Sequence, residues 1–180
     1  LSWYVYHEDL GPSKVLEIDK DGTGFSSKTA WSETSPTSSG FFVGAMSGSN
    51  GAGGDLIAYL FASVPGISRL GSYTGNGGSQ DIDCGFTHGA KCLLVKRTDG
   101  TGDWVWHWPS NSGDALKYTI KLNSTDKFAS QYDVLAIPSG FSASGDICNI
   151  DGAEYIFYAI AAPSIGALLK KYAKGISNDS

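Results

Sequence analysis

The sequence predicts an all-β antiparallel sandwich of the jelly-roll or concanavalin A-like kind, internally duplicated and followed by a short C-terminal helix. Three observations carry this. Apolar and polar residues alternate with period two in short runs. Turn signals fall about every 8–12 residues, the spacing of sandwiches and barrels. Two stretches about a hundred residues apart also read nearly alike: "NGAGGDLIAYLFASVPG" from Asn50 and "NIDGAEYIFYAIAAPSIG" from Asn149. Composition agrees, with 24 glycines, 12% aromatic residues and 17% charged residues. Ordinary domains carry about 25% charge. The aromatic share excludes a disordered chain, and 180 residues make one domain or two small ones.

The elements follow in order. "SWYVYH" is an aromatic and β-branched run, and "KVLEID" sets Val15 and Glu17 against Leu16 and Ile18 before the turn "DKDGTG". "SGFFVGAM" and "DLIAYLFASV" are read as strands separated by the glycine-rich "SGSNGAGG". "KCLLVKR" stops at "TDGTGD"; "DWVWHW", "LKYTIKL", "YDVLAI", "SGFSAS" and "AEYIFYAIAA" complete the series. Helical spacing enters only near the end, where Ile165, Leu168, Leu169, Tyr172 and Ile176 form a stripe. Lys170, Lys171 and Lys174 lie off it, and Gly175 is a stop signal. Residues 1–164 are thus the sandwich and 165–180 a short amphipathic helix and tail.

The likeness runs through the chain as a duplication. Tyr4-Val5-Tyr6-His7 falls on Trp104-Val105-Trp106-His107, and Ser39-Gly40-Phe41 on Ser139-Gly140-Phe141, at an offset of 100. Asn50, Gly53, Ile57, Tyr59 and Ala62 fall on Asn149, Gly152, Ile156, Tyr158 and Ala161 at 99. Leu16-Glu17-Ile18-Asp19 pairs with Ile120-Lys121-Leu122-Asn123, and Phe25 roughly with Phe128. The copies are about 3–66 and 103–166, linked by strands in 67–102. The expected core is Val5, Leu16, Ile18, Phe41, Ile57, Tyr59, Val95, Val105, Ile156 and Tyr158.

A net charge of −5 without a Lys/Arg stripe argues against nucleic acid. No apolar run approaches the ~18 residues of a membrane span. The first ten residues carry no signal-peptide pattern and start mid-pattern, as expected of a piece of something longer. Cys84, Cys92 and Cys148 are odd in number. "CGFTHGAKC" suits a hairpin where a bridge is possible, but free thiols are the favoured reading.

The run "GSYTGNG" (71–77), then "CGFTHGAKCLLVKRTDGTGDWVWHW", "SGF" and "GAEYIFYAIAAP" resembles a repeat common in virion and tail-fibre proteins of marine tailed phages. The usual pattern is GSYTGNG, GF-x-PA-x-VLIKR, W-V-I-Y, S-N-G-F and Y-I-Y-x-A-F-A. The resemblance implies a concanavalin A-like or laminin G-like sandwich, a structural role and one whole copy at 71–163. It also implies that 1–66 lacks its opening strands. Thr87-His88-Gly89 and "AIAAPS" depart from the pattern, which weakens any shared ligand.

Four constellations invite chemistry. In "LEIDKDG", Glu17, Asp19 and Asp21 alternate; on one strand they would share a face, as the two carboxylates of a retaining glycosidase must, ~5–5.5 Å apart. The second copy has Lys121 and Asn123 there, so a solvated strand edge is the better account. Asp19, Asp21 and Thr23 suggest calcium, but the bidentate Glu of a calcium loop is missing. His7 with His107, or His88 between Cys84 and Cys92, lacks metal-ligand spacing. Trp104, Trp106 and Trp108 form a ribbon on one strand face: a sugar platform if exposed, core or interface if buried.

The function expected is therefore non-enzymatic, without cofactor or metal. It is a virion surface module, in a phage fibre or capsid decoration, assembled in the host cytoplasm with other virion proteins and as a homo-oligomer. It would touch host-surface polysaccharide through Trp104, Trp106 and Trp108. The alternatives are a dedicated lectin module, or a glycoside hydrolase using Glu17 and Asp21.

Overall fold

The stretch that begins at Asn149 becomes the central strand of the molecule. A computed structural model describes residues 2–51, 55–109, 116, 118–126, 129–130 and 133–163. Among them are β1 (Tyr4–Val5), β2 (Lys14–Glu17), β3 (Phe25–Ser26), β4 (Ser68–Thr74), β5 (Ser79–Asp83) and β6 (Ala90–Arg97). Then come β7 (Trp104–Trp108), β8 (Tyr118–Lys121), β9 (Ala129–Ser130), β10 (Val134–Ile137), β11 (Gly140–Ser144) and β12 (Glu154–Ala161). Two one-turn helices, α1 (Ser47–Asn50) and α2 (Gly145–Cys148), precede the two similar stretches. All pairings are antiparallel.

Strand β12 pairs with β4 on one side and β6 on the other, inside a six-stranded sheet of order β4-β12-β6-β7-β8-β9. It is apolar on both faces because both are covered. Alternation sends Tyr155, Phe157 and Ala159 one way and Ile156, Tyr158 and Ile160 the other. The first face packs against the sheet β10-β11-β5, forming an antiparallel β-sandwich. Here Tyr73 stacks on Tyr155 with ring centroids 5.0 Å apart, and Phe141 meets Phe157 edge-on at 5.1 Å. The Tyr73 hydroxyl donates to the Cys148 carbonyl at 2.6 Å, so its polar tip is satisfied inside the core. Gly140 begins β11 because a Cβ there would run into the Ile82 carbonyl of the neighbouring strand.

On the second face, Leu16, Trp104 and Ile156 are buried together, with Val5, Leu10, Ile18 and Leu94 around them. The small sheet β1-β2-β3 therefore lies against this face. The duplication shows in its register. Lys14 faces Ser26 and Val15 faces Phe25; Tyr118 faces Ser130 and Thr119 faces Ala129, every residue displaced by 104. The first strands differ by one step: Glu17 faces Tyr4, but Lys121 faces Val105. A one-residue slip reverses which face each side chain takes, so His7 and His107 do not stand in equivalent places.

Asn149 ties the second copy to the turn between β4 and β5. Its Oδ1 accepts from the Asn76 amide at 3.0 Å, and its Nδ2 donates to Asn76 Oδ1, Gly78 O and Ala143 O at 2.8, 3.0 and 3.2 Å. That explains "GSYTGNG": its glycines keep backbone close to this buried amide. Asn149→Ala is expected to lower unfolding free energy by roughly 2 kcal/mol, since buried polar partners lose their bonds. Asn50→Ala, at the exposed counterpart, should change it by less than about 0.5 kcal/mol. Urea titration of both variants measures the contrast, and equal losses would refute it.

Several expectations fail, and most fail in the first copy. Residues 39–46 and 55–64 form no ladder strands beyond an isolated bridge at Val64. Phe41, Ile57 and Tyr59, expected in the core, are 42%, 72% and 68% exposed. Their counterparts are held by β5, β4 and β6, and the described first copy has no strands in those places. The other expected core residues are buried or half-buried. The helix expected in 165–180, and Phe128, lie outside the described residues.

Candidate functional site

The tryptophan ribbon is the best starting point, because β7 is regular and its alternate side chains do share a face. They do not share an environment. Trp104 is 3% exposed, wedged between Leu16 and Ile156, and its Nε1–H donates to the Glu17 carbonyl at 2.9 Å. A three-tryptophan sugar platform is therefore not formed: the first copy covers one end of the ribbon. Trp106 and Trp108 remain half-buried. Opposite them on β8 stand Ile120 and Tyr118, the Tyr118 ring 6.0 Å from that of Trp108. These four side chains are an aromatic and apolar patch at the open end of the face.

The acidic run falls differently from expectation. Strand β2 ends at Glu17, and Ile18 and Asp19 already turn, with the Lys20 amide donating back to the Glu17 carbonyl at 3.2 Å. The three carboxylates thus do not line one strand face. Asp19 accepts from the Ser2 hydroxyl at 3.1 Å and lies 3.9 Å from the Lys20 ammonium. Glu17 and Asp21 do border one shallow hollow of about 430 Å³, with Lys20, Gly22, Thr23, Gly24 and Phe25. Thr23 is turned to its own loop, its hydroxyl donating to the Gly24 carbonyl at 3.4 Å. Among the described residues, no group of three or more His, Cys, Asp or Glu is placed to hold a metal ion.

The histidines and cysteines belong to the packing. His107 is fully buried beside Cys148, Nε2 to Sγ 3.5 Å, and burial lowers its pKa to about 4. His7 caps the 3-10 turn at Glu8–Leu10, its Nδ1 accepting from the Asp9 amide at 3.3 Å; burial lowers its pKa too. His88 sits on an exposed turn against the Thr87 hydroxyl. All three cysteines are free thiols, and burial raises each pKa, that of Cys84 to about 12. A raised thiol pKa makes a poor nucleophile.

Lys96 escaped sequence reasoning. It is 1% exposed, and its ammonium donates to the Asp21 carbonyl at 3.0 Å and the Gly102 carbonyl at 2.7 Å. Burial lowers its pKa to about 8. Its work is to clamp the 19–24 turn of the first copy onto the β6–β7 turn of the second. The only sequence hint was a lysine closing an apolar strand.

The model of a family described as a domain of unknown function, DUF7483, matches residues 1–163. The chain belongs to the DUF7483 family. No curated protein and no solved structure matches it. The DUF7483 match runs through both copies and stops where β12 and its trailing residues end, so the family's unit contains the covered Trp104 seam as well as the open patch at Trp106 and Trp108. Among the described residues of this DUF7483 chain, no helix is long and apolar enough to cross a membrane.

Proposed function

We propose that this domain is a non-enzymatic structural module on the outside of a tailed-phage particle, in a fibre or as a capsid decoration. It assembles with other virion proteins and with copies of itself, and its exposed side contacts host-surface glycan. The observation that carries this reading is an uncovered apolar strip. Leu56, Ile57, Tyr59, Leu60 and Phe61 are 55–72% exposed on an otherwise well-packed sandwich. Contiguous apolar surface of this kind marks a place for a neighbour. The concanavalin A-like wiring and the virion location rest on the sequence resemblance and belong to the same proposal. An antibody against the chain should label intact particles of the phage that encodes it. Unlabelled particles, with the antigen only in the lysate, would end this reading.

A dedicated carbohydrate-binding module is the second reading, favoured by the open patch of Trp106, Trp108, Tyr118 and Ile120. It predicts saturable binding of the tagged chain to host cells that surface polysaccharide competes away. Trp106→Ala or Trp108→Ala should weaken that binding by at least ~10-fold, the worth of one good aromatic contact. Unchanged binding would remove the patch from the account.

A further inference from the structure

Among the described residues, the first copy keeps the pairings it makes within itself and lacks those that would need strands like 67–102. β1, β2 and β3 pair in order. Even the turn of the β10–β11 hairpin has its match, since the Thr37 amide donates to the Gly40 carbonyl at 2.8 Å where Ile137 faces Gly140. In the second copy β7 is held on its outer side by β6, whereas β1 is the edge of its sheet. β11 is held by β5, whereas Phe41 and Phe42 lie exposed without a ladder. β12 is held by β4 and β6, whereas residues 55–63 pair with nothing of that kind. Asn149 grips the β4–β5 turn, whereas Asn50 is exposed. Four separate places want one element.

We propose that residues 1–66 are an interaction surface for a further three-strand unit of the 67–102 kind. The unit is joined ahead of β1 as β6 is joined ahead of β7, and residues 40–44 and 56–62 become strands when it docks. The sequence of 56–61 supports a central position. Leu56, Ala58 and Leu60 stand where Tyr155, Phe157 and Ala159 face the main core, and Ile57, Tyr59 and Phe61 where Ile156, Tyr158 and Ile160 face the other way. A strand apolar on both faces suits a sheet interior; edges are usually blunted by charge. The slot is in the right place. Trp3, beside β1, has its ring 5.7 Å from that of Tyr59, so the segment runs near the free edge. A β6-like strand between them would need a span of about 9.6 Å, two strand spacings. Its middle must be apolar on both faces, as Leu93, Leu94 and Val95 are in β6. A second copy of this chain does not supply it, because its own β4 and β6 already hold β12.

This inference is independent of any virion role. The test fuses residues 67–100 directly ahead of Leu1 in the full chain and follows amide hydrogen exchange. Segments 40–44 and 56–62 should slow by ~100-fold or more, as unpaired backbone joins a cooperative sheet. The same fusion carrying Leu93→Pro and Val95→Pro in the added unit should show no slowing. Unchanged exchange in the intact fusion overturns the proposal. So does slow exchange of 56–62 that appears in the unfused chain only at high concentration, which would assign the surface to a second copy. A measurement on the unfused chain alone completes the test: Ile57→Lys with Leu60→Lys should leave Tm within about 2 °C, as surface changes do. A loss above about 5 °C would show these side chains already packed, and would also overturn it.

Discussion

Trp104→Ala should release the first copy from the six-stranded sheet while the main core stays folded. The indole is the largest side chain in the seam with Leu16 and Ile156, and its Nε1–H also satisfies the Glu17 carbonyl at the end of β2. Truncating a buried aromatic costs about 3–5 kcal/mol. The loss is local, because Trp104 faces away from the core built on Tyr73, Phe141, Tyr155 and Phe157. Limited proteolysis should therefore cut within 1–66 first, and calorimetry should split one transition into two. Trp108→Ala, at the open end of the same face, should cost under about 1.5 kcal/mol and leave one transition. Equal effects of the two substitutions, or cleavage spread evenly along the chain, would mean the copies do not meet through this side chain.

The contrast between Trp104 and Trp108 also shows what the sequence could and could not reveal. Period-two alternation correctly announced a strand with its tryptophans on one face. It carried no information about which end another segment would cover, because that depends on where the first copy lies. The same limit explains Ile57 and Tyr59. Their pattern is that of a buried strand, since Ile156 and Tyr158 with the same pattern are buried; burial requires neighbours, and a strand's neighbours are not written in the strand. Glu17, Asp19 and Asp21 illustrate the opposite error. Alternation was extended past Glu17 into "DKDGTG", although the glycines and aspartates there were turn signals that end a strand. Asn149 was legible through its repeat with Asn50, but its role depended on a turn some seventy residues away. Lys96 was not legible at all: a lysine closing a strand ordinarily reaches solvent, and only the two carbonyls aimed at it keep it inside.

Acid should destabilise the domain well above the carboxylate range, and His107 should be the main cause. Its ring is fully buried against Cys148, and burial lowers its pKa from 6.5 to about 4. In the unfolded chain the ring takes a proton as pH falls through 6.5; in the folded chain it waits until about 4. Between those values the unfolded state binds more protons, so stability rises with pH and is lost as pH falls. The full effect is about 3 kcal/mol, from a shift of roughly two and a half units at ~1.36 kcal/mol each. His7, lowered by burial as well, adds to the loss, while Asp133, raised by burial and the charge of Asp146, opposes it at the acid end. Denaturant titrations from pH 7 to pH 4 measure the slope. His107→Leu keeps an apolar side chain beside Cys148 and Leu93 and removes the titrating ring, so most of the slope should vanish. If the variant loses stability between pH 6.5 and 4 as steeply as the parent, the acid sensitivity lies in another group, and the buried neutral imidazole is not what sets it.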